Sequence, residues 1–103
     1  MKVRVITANI DESKALNDYV QESMTSSVTK YFGNAIDSEV HFKKEGKDFL
    51  CTIIVNEGVR GGGIDIKGDH QSHDIYIAFN EARDKVQTQL RRYKRKITDH
   101  HAG

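Results

Sequence analysis

Residues 74–97 read DIYIAFNEARDKVQTQLRRYKRKI, and their periodicity predicts one long amphipathic helix that the rest of the chain must cover. Ile75, Ala78, Phe79, Ala82, Val86, Leu90, Tyr93 and Ile97 recur at spacings of three and four, which puts them on one face at 3.6 residues per turn. That face has to be buried. Arg83, Lys85, Arg91, Arg92, Lys94, Arg95 and Lys96 fall on the remaining arc, and Asp84 is the only acid between the first and last of them. Lys85, Arg92 and Lys96, separated by seven and four residues, line up along one flank.

Such crowding is unfavourable on its own. Neighbouring like charges on a helix repel by about a few tenths of a kcal/mol per pair, and the segment from Arg91 to Lys96 holds five cations around one tyrosine. A polyanion would offset that repulsion, because each neutralised phosphate releases condensed counterions and the gain adds over contacts. The bulk composition conceals the feature. Net charge is only +1, yet residues 1–70 carry nine Lys/Arg against eleven Asp/Glu, whereas residues 71–103 carry seven against four. The basic character is therefore local, as expected of one binding face.

Outward from the helix, the 103 residues are expected to form a single domain, 1–103, with a core large enough to fold without metal or disulfide. A hydrophobic content of 37%, a charged content of 30% and the lack of proline fit a soluble globular chain without linkers. No run approaches the roughly 18 apolar residues of a membrane span, and the first residues alternate where a secretory signal would be uniformly apolar. The expectation is a cytoplasmic protein with no membrane partner. Cys51 has no second cysteine to pair with and sits in an apolar strand pattern, which predicts a buried structural thiol.

Lys2 to Thr7 alternates as a strand, with Val3 and Val5 on one side. Asp11 or Ser13 can cap a first helix, in which Ala15, Leu16, Tyr19, Val20, Met24, Val28, Tyr31 and Phe32 share a face before Gly33 and Asn34 stop it. Val40 and Phe42 mark a second strand, and Glu45, Gly46 and Lys47 turn it into a third, Phe49 to Val55. The glycines at 58, 61, 62 and 63 lead to a weak edge strand around Ile64 to Lys67, and Gly68 to His73 reads as a polar loop before Asp74 caps the long helix. The order β-α-β-β-β-α predicts an α+β fold, a two-layer sandwich in which a four-stranded mixed sheet carries both helices on one face. A right-handed first crossover makes strands one and two parallel, and the opposite sheet face meets solvent.

No enzymatic chemistry assembles from these residues. His70 and His73 with Asp69 and Asp74, and the pair His100 and His101, match no metal-ligand pattern. The glycine run lacks the Lys-Ser/Thr and helix start of a phosphate loop. No catalytic residue, metal, cofactor or small-molecule substrate is expected. A competing class is a protein-interaction module that uses the open sheet face, with His41, Lys43, Leu50, Thr52 and Ile54, or pairs through the edge strand.

Asp74-Ile-Tyr-Ile-Ala-Phe-Asn80, then Asp84-Lys85-Val86 and Gln89-Leu90-Arg91-Arg92-Tyr93-Lys94-Arg95-Lys96, resemble the closing signature of the ribosome hibernation promoting factor and ribosome-associated inhibitor family, also termed the sigma-54 modulation protein family. Val5-Ile6-Thr7, Ala15-Leu16, Tyr19-Val20, Lys30-Tyr31-Phe32 and Thr52-Ile53 follow in the family's order, so the likeness covers nearly the whole chain. The resemblance implies a fold like the double-stranded RNA-binding domain. It also implies a partner: the small ribosomal subunit, bound through 16S ribosomal RNA in the channel of messenger and transfer RNA, so that idle ribosomes are kept inactive, singly or as dimers; the isolated domain is expected to be a monomer. Carried onto this sequence, Lys85, Arg91, Arg92, Lys94, Lys96 and Lys30 become RNA-facing cations, joined by Arg83 and Arg95 through proximity. Two departures stand out: Ser23, Ser26 and Ser27 replace the lysines usual in relatives, and Thr88 replaces a common arginine. Some members continue through a linker into a dimerisation domain, so a second reading makes the chain the N-terminal domain of a longer protein.

Overall fold

The computed structural model describes residues 2–11, 13–28, 36–57 and 65–102, with side chains described at 3–11, 13–26, 37–56 and 66–92. The elements are β1 (Lys2–Ala8), α1 (Lys14–Val28), β2 (Ile36–Glu45), β3 (Asp48–Glu57), β4 (Asp65–Ser72) and α2 (Ile75–Ala102). The four strands form one sheet in the order β1-β2-β3-β4, with β1 parallel to β2 and the other pairs antiparallel. Its helix-facing side carries both helices, as the sequence order predicts.

Period-two alternation decides which side of the sheet is core. Val40 and Phe42 of β2 and Cys51, Ile53 and Val55 of β3 are buried, while Leu50, Thr52 and Ile54, one residue out of phase, are only half-buried on the open face. Above the buried set lie Leu16, Val20 and Met24 of α1 and Ala78, Phe79, Ala82, Val86 and Leu90 of α2, none more than 5% exposed. Phe79 is the meeting point, its ring 6.3 Å from that of Phe42 and edge-on to Tyr19 at 5.7 Å. Ala15, expected on the apolar face of α1, is instead exposed, and Tyr19 is partly so. Cys51 is fully buried, and desolvation pushes its thiol up to about 12, which keeps it protonated and inert at neutral pH.

Local chemistry sets the boundaries. Ser13 caps α1 by accepting the Leu16 amide at its hydroxyl (3.2 Å) and the Asn17 amide at its carbonyl (2.9 Å). Gly46, at φ 63°, takes the first position of the two-residue hairpin loop between Glu45 and Asp48, where a positive φ matches the twist of the strands. The proposed stop of the first helix at Gly33 and Asn34, and the glycine run at 58 and 61–63, lie outside the described residues.

Two sequence expectations need correcting. The long helix does not stop at Ile97 but runs to Ala102. Gly68 to Ser72 is not a loop: β4 continues through it, paired from Phe49↔Ser72 to Asn56↔Asp65 with β3. Polar side chains tolerate the strand because β4 is an edge with its partners already in place. Gln71 Nε2 donates to Asp48 Oδ2 at 3.0 Å, His73 pairs with the same carboxylate, and α2 supplies Gln89 and Lys85 to the carbonyls of Lys67 (2.6 Å) and Asp69 (2.7 Å).

Gly68 is where the edge strand and α2 come closest. A Cβ built there would stand 2.8 Å from the Ala82 carbonyl oxygen and 3.0 Å from Val86 Cγ2. Because the first of these is helix backbone, α2 must shift to admit even a methyl group. Gly68→Ala is expected to lower stability by about 1–3 kcal/mol, as other over-packed positions do. Urea unfolding would measure it, and an unchanged midpoint would mean that α2 lies farther from β4 than described.

Candidate nucleic-acid interface

The orientation of α2 is fixed at its first turn and along its buried stripe. Asp74 accepts the Tyr76 amide at Oδ1 (2.8 Å) and the Ala78 amide at its carbonyl (2.9 Å), which caps the helix as its sequence position predicts. Phe79, Ala82, Val86 and Leu90 are then buried to 1% or less. With that face committed, the polar arc has one orientation left, outward from the sheet.

The cations predicted from sequence divide into three groups. Arg91 and Arg92 are exposed, and their side chains have no hydrogen-bonding or ion-pairing partner among the described residues. Lys85 is exposed as well, its Nζ resting on the Asp69 carbonyl with two protons to spare. Lys94, Arg95 and Lys96 continue the helical backbone, but their side chains, like all of Lys30, lie outside the described residues.

Arg83 behaves differently. Its side chain is 23% exposed, Nη1 donates to Ser23 Oγ of α1 at 2.7 Å, Nη2 reaches Asp84 Oδ1 at 3.3 Å, and Cζ lies 5.9 Å from the Phe79 ring centroid. It works as a bridge between the helices, with a cation–π contact beneath it. Ser23 thereby gains a reason: a hydroxyl accepts the guanidinium, whereas a lysine at that position would repel it. Nothing in spacing alone separates Arg83 from Arg91, because the difference lies in what α1 places opposite each.

A groove runs between β4 and the basic flank of α2. Lys67, Gly68 and Asp69 of β4 and Lys85, Thr88, Gln89 and Arg92 of α2 line one groove. Lys67 meets α2 through its carbonyl, which accepts from Gln89; Gly68 is the residue turned toward the helix, and the Lys67 side chain, registered opposite Ile54, belongs to the open sheet face.

The opposite sheet face has other electrostatics. Arg4 pairs with Glu39 at 3.1 Å, Lys43 with Glu45 at 3.2 Å, and His41 sits 3.0 Å from Glu39. Arg4, His41 and Lys43 therefore face carboxylates, around a shallow apolar hollow that includes Ile6, Leu50 and Ile54. On α2, by contrast, Arg91 and Arg92 are exposed with no carboxylate partner among the described residues.

Residues 3–98 match the family described as Sigma 54 modulation protein / S30EA ribosomal protein. A curated relative, the ribosome hibernation promotion factor of Rhizobium meliloti (strain 1021), is 31% identical over 105 residues, covering 100% of this chain and 53% of that protein. The chain thus spans about half the length of the relative. Among solved structures, the N-terminal domain of Protein Y from Thermus thermophilus superposes with a TM-score of 0.73 at 24% identity, covering 90% of this chain and 99% of that one. A ribosomal subunit interface protein from Coxiella burnetii gives 0.65 at 20% identity, covering 91% and 98%. At these identities the two structures corroborate the fold.

Proposed function

This chain belongs to the Sigma 54 modulation protein / S30EA ribosomal protein family, and from that membership we propose that it is a ribosome hibernation factor. It binds 16S ribosomal RNA of the small subunit in the messenger and transfer RNA channel and holds idle ribosomes inactive by occupying the space their substrates need. The observation that carries the reading is the pair Arg91 and Arg92, exposed and without partners among the described residues on a helix whose rotation is fixed by its core. Unpaired cations on a rigid mount cost little further ordering when they meet phosphate. Lys85 supports them from the same helix, with Lys94, Arg95, Lys96 and Lys30 assigned to the same role from their sequence positions. Arg83 serves by keeping α1 and α2 in register.

The mechanism is steric and involves no bond making. Structured RNA is recognised largely through shape and backbone, which suits a surface of arginine and lysine on a stiff two-layer wedge. Strand addition, the alternative partner mode, finds acceptors on the edges already engaged: helix side chains hold the carbonyls of Lys67 and Asp69 on β4 and, through Gln21 Nε2 at 2.9 Å, that of Val3 on β1.

Sedimentation of the protein with purified bacterial ribosomal subunits tests the proposal. The protein is expected to travel with the small subunit at low salt and to be released as salt rises, with log affinity falling by about 0.7 to 0.9 per log salt for each phosphate engaged. Migration with the large subunit, or binding indifferent to salt, would refute it.

A further inference from the structure

Among the described residues, four large hydrophobic side chains are exposed, and three of them, Tyr19, Tyr76 and Ile77, gather where the first turn of α2 meets α1. The two tyrosine rings meet edge to face at 5.2 Å, and the Tyr19 hydroxyl donates to Asn80 Oδ1 at 2.6 Å. The pair is thus held in place before any partner arrives, which keeps the ordering cost of binding low. Ala15, one turn before Tyr19, is exposed on the same flank of α1 and widens the apolar area.

We infer that this surface docks a lysine- or arginine-rich segment of a protein partner, an interaction that goes beyond the proposed function and does not depend on it. Charge selects the occupant. Glu22 lies one turn after Tyr19 on α1, Glu81 lies one turn after Ile77 on α2, and both are exposed with no hydrogen-bonding or ion-pairing partner among the described residues. Arg83, the cation that α2 places on this flank, already serves Ser23 and Asp84. Unpaired carboxylates around an aromatic pair repel phosphate and attract an ammonium or guanidinium, which also packs favourably over a tyrosine ring. The Asn80 side chain, with its oxygen on Tyr19, keeps its N–H groups for a backbone carbonyl of the segment. Arg91 comes fifteen residues after Tyr76, about 22 Å farther along the axis, so phosphate and peptide occupy separate ends of one helix.

The geometry also separates binding from folding. Asp74 caps α2 through the Tyr76 amide, so Tyr76→Ala keeps the helix start, and Glu22→Gln with Glu81→Gln removes two charges that hold no other described residue. Isotope-labelled protein should be titrated with a ten-residue peptide of lysine, arginine and leucine, and the backbone amide shifts followed by NMR. Shifts are expected to centre on Tyr19, Tyr76, Ile77 and Asn80. Affinity is expected to fall by about fivefold or more in Tyr76→Ala and by about three- to tenfold in the double glutamine variant, with a cooperative thermal transition kept in both. A peptide with glutamate in place of every lysine and arginine is expected not to bind. An absence of shifts at millimolar cationic peptide, equal binding of the acidic peptide, or wild-type affinity in both variants overturns the inference. Binding of a ten-nucleotide oligouridylate that Tyr76→Ala abolishes overturns it as well, because the tyrosines then hold a base. Ribosomes are absent from this assay, so a failure here leaves the small-subunit proposal standing.

Discussion

Arg91→Glu combined with Arg92→Glu is expected to reduce affinity for the small ribosomal subunit by about 100-fold or more at 0.1 M salt. Each phosphate contact contributes roughly 0.7 to 0.9 log units at that salt concentration, so losing two accounts for about 25- to 60-fold, and repulsion by the introduced carboxylates supplies the rest. Stability should move the other way, if at all. Both side chains are exposed and make no hydrogen bond or ion pair with another described residue, so there is little to lose. Each carboxylate would also stand four residues before a cation, Arg95 or Lys96, the spacing and polarity that steady a helix by about 0.2–0.5 kcal/mol per pair. Thermal unfolding should therefore stay within about 4 °C of the wild type, the shift that a surface change of about 0.5 kcal/mol produces in a domain of this size. Retained binding in a sucrose gradient, with the fold intact, would remove α2 from the interface.

Leu90→Asp is expected to abolish folding. Leu90 is 0% exposed within the stripe that seats α2 on the sheet. Truncating a buried leucine already costs about 2–5 kcal/mol, and an unpaired carboxylate in the same place adds a desolvation penalty of several kcal/mol more. Single domains hold only about 5–15 kcal/mol in total. Loss of the cooperative thermal transition by circular dichroism is the expected readout, while Leu90→Met, which nearly conserves volume, should cost less than about 1.5 kcal/mol. A cooperative transition surviving in Leu90→Asp would contradict the seating of α2. Together the two experiments separate the two sides of one helix, with binding lost on a sound fold in one case and the fold itself lost in the other.

The elements of this protein are legible where they rest on local periodicity. The 3.6-residue recurrence from Ala78 to Leu90 identifies the buried face of α2 residue by residue, and the alternation through Val40, Phe42, Cys51, Ile53 and Val55 does the same for the central hairpin. Gly46 and Asp74 could be assigned, and the cap of α1 narrowed to Asp11 or Ser13, because capping and turn geometry involve residues only a few positions apart. Polar sequence misleads at β4. Gly68 to Ser72 has no strand signature of its own, and it is extended because β3 offers a free edge while Lys85 and Asp48 occupy its polar groups from elsewhere in the chain.

The binding face divides along the same line. That α2 carries a cationic arc opposite an apolar stripe follows from the sequence by itself, since both are consequences of helical spacing. Which cations remain available was decided by packing between distant segments. Arg83 is drawn in because α1 sets Ser23 against it and Phe79 lies beneath it, whereas Arg91 and Arg92 stay free because no described residue offers them a hydrogen bond or ion pair. Spacing along one helix fixes where a side chain starts. Only the elements packed beside it determine whether its charge is taken up within the fold or left for a partner.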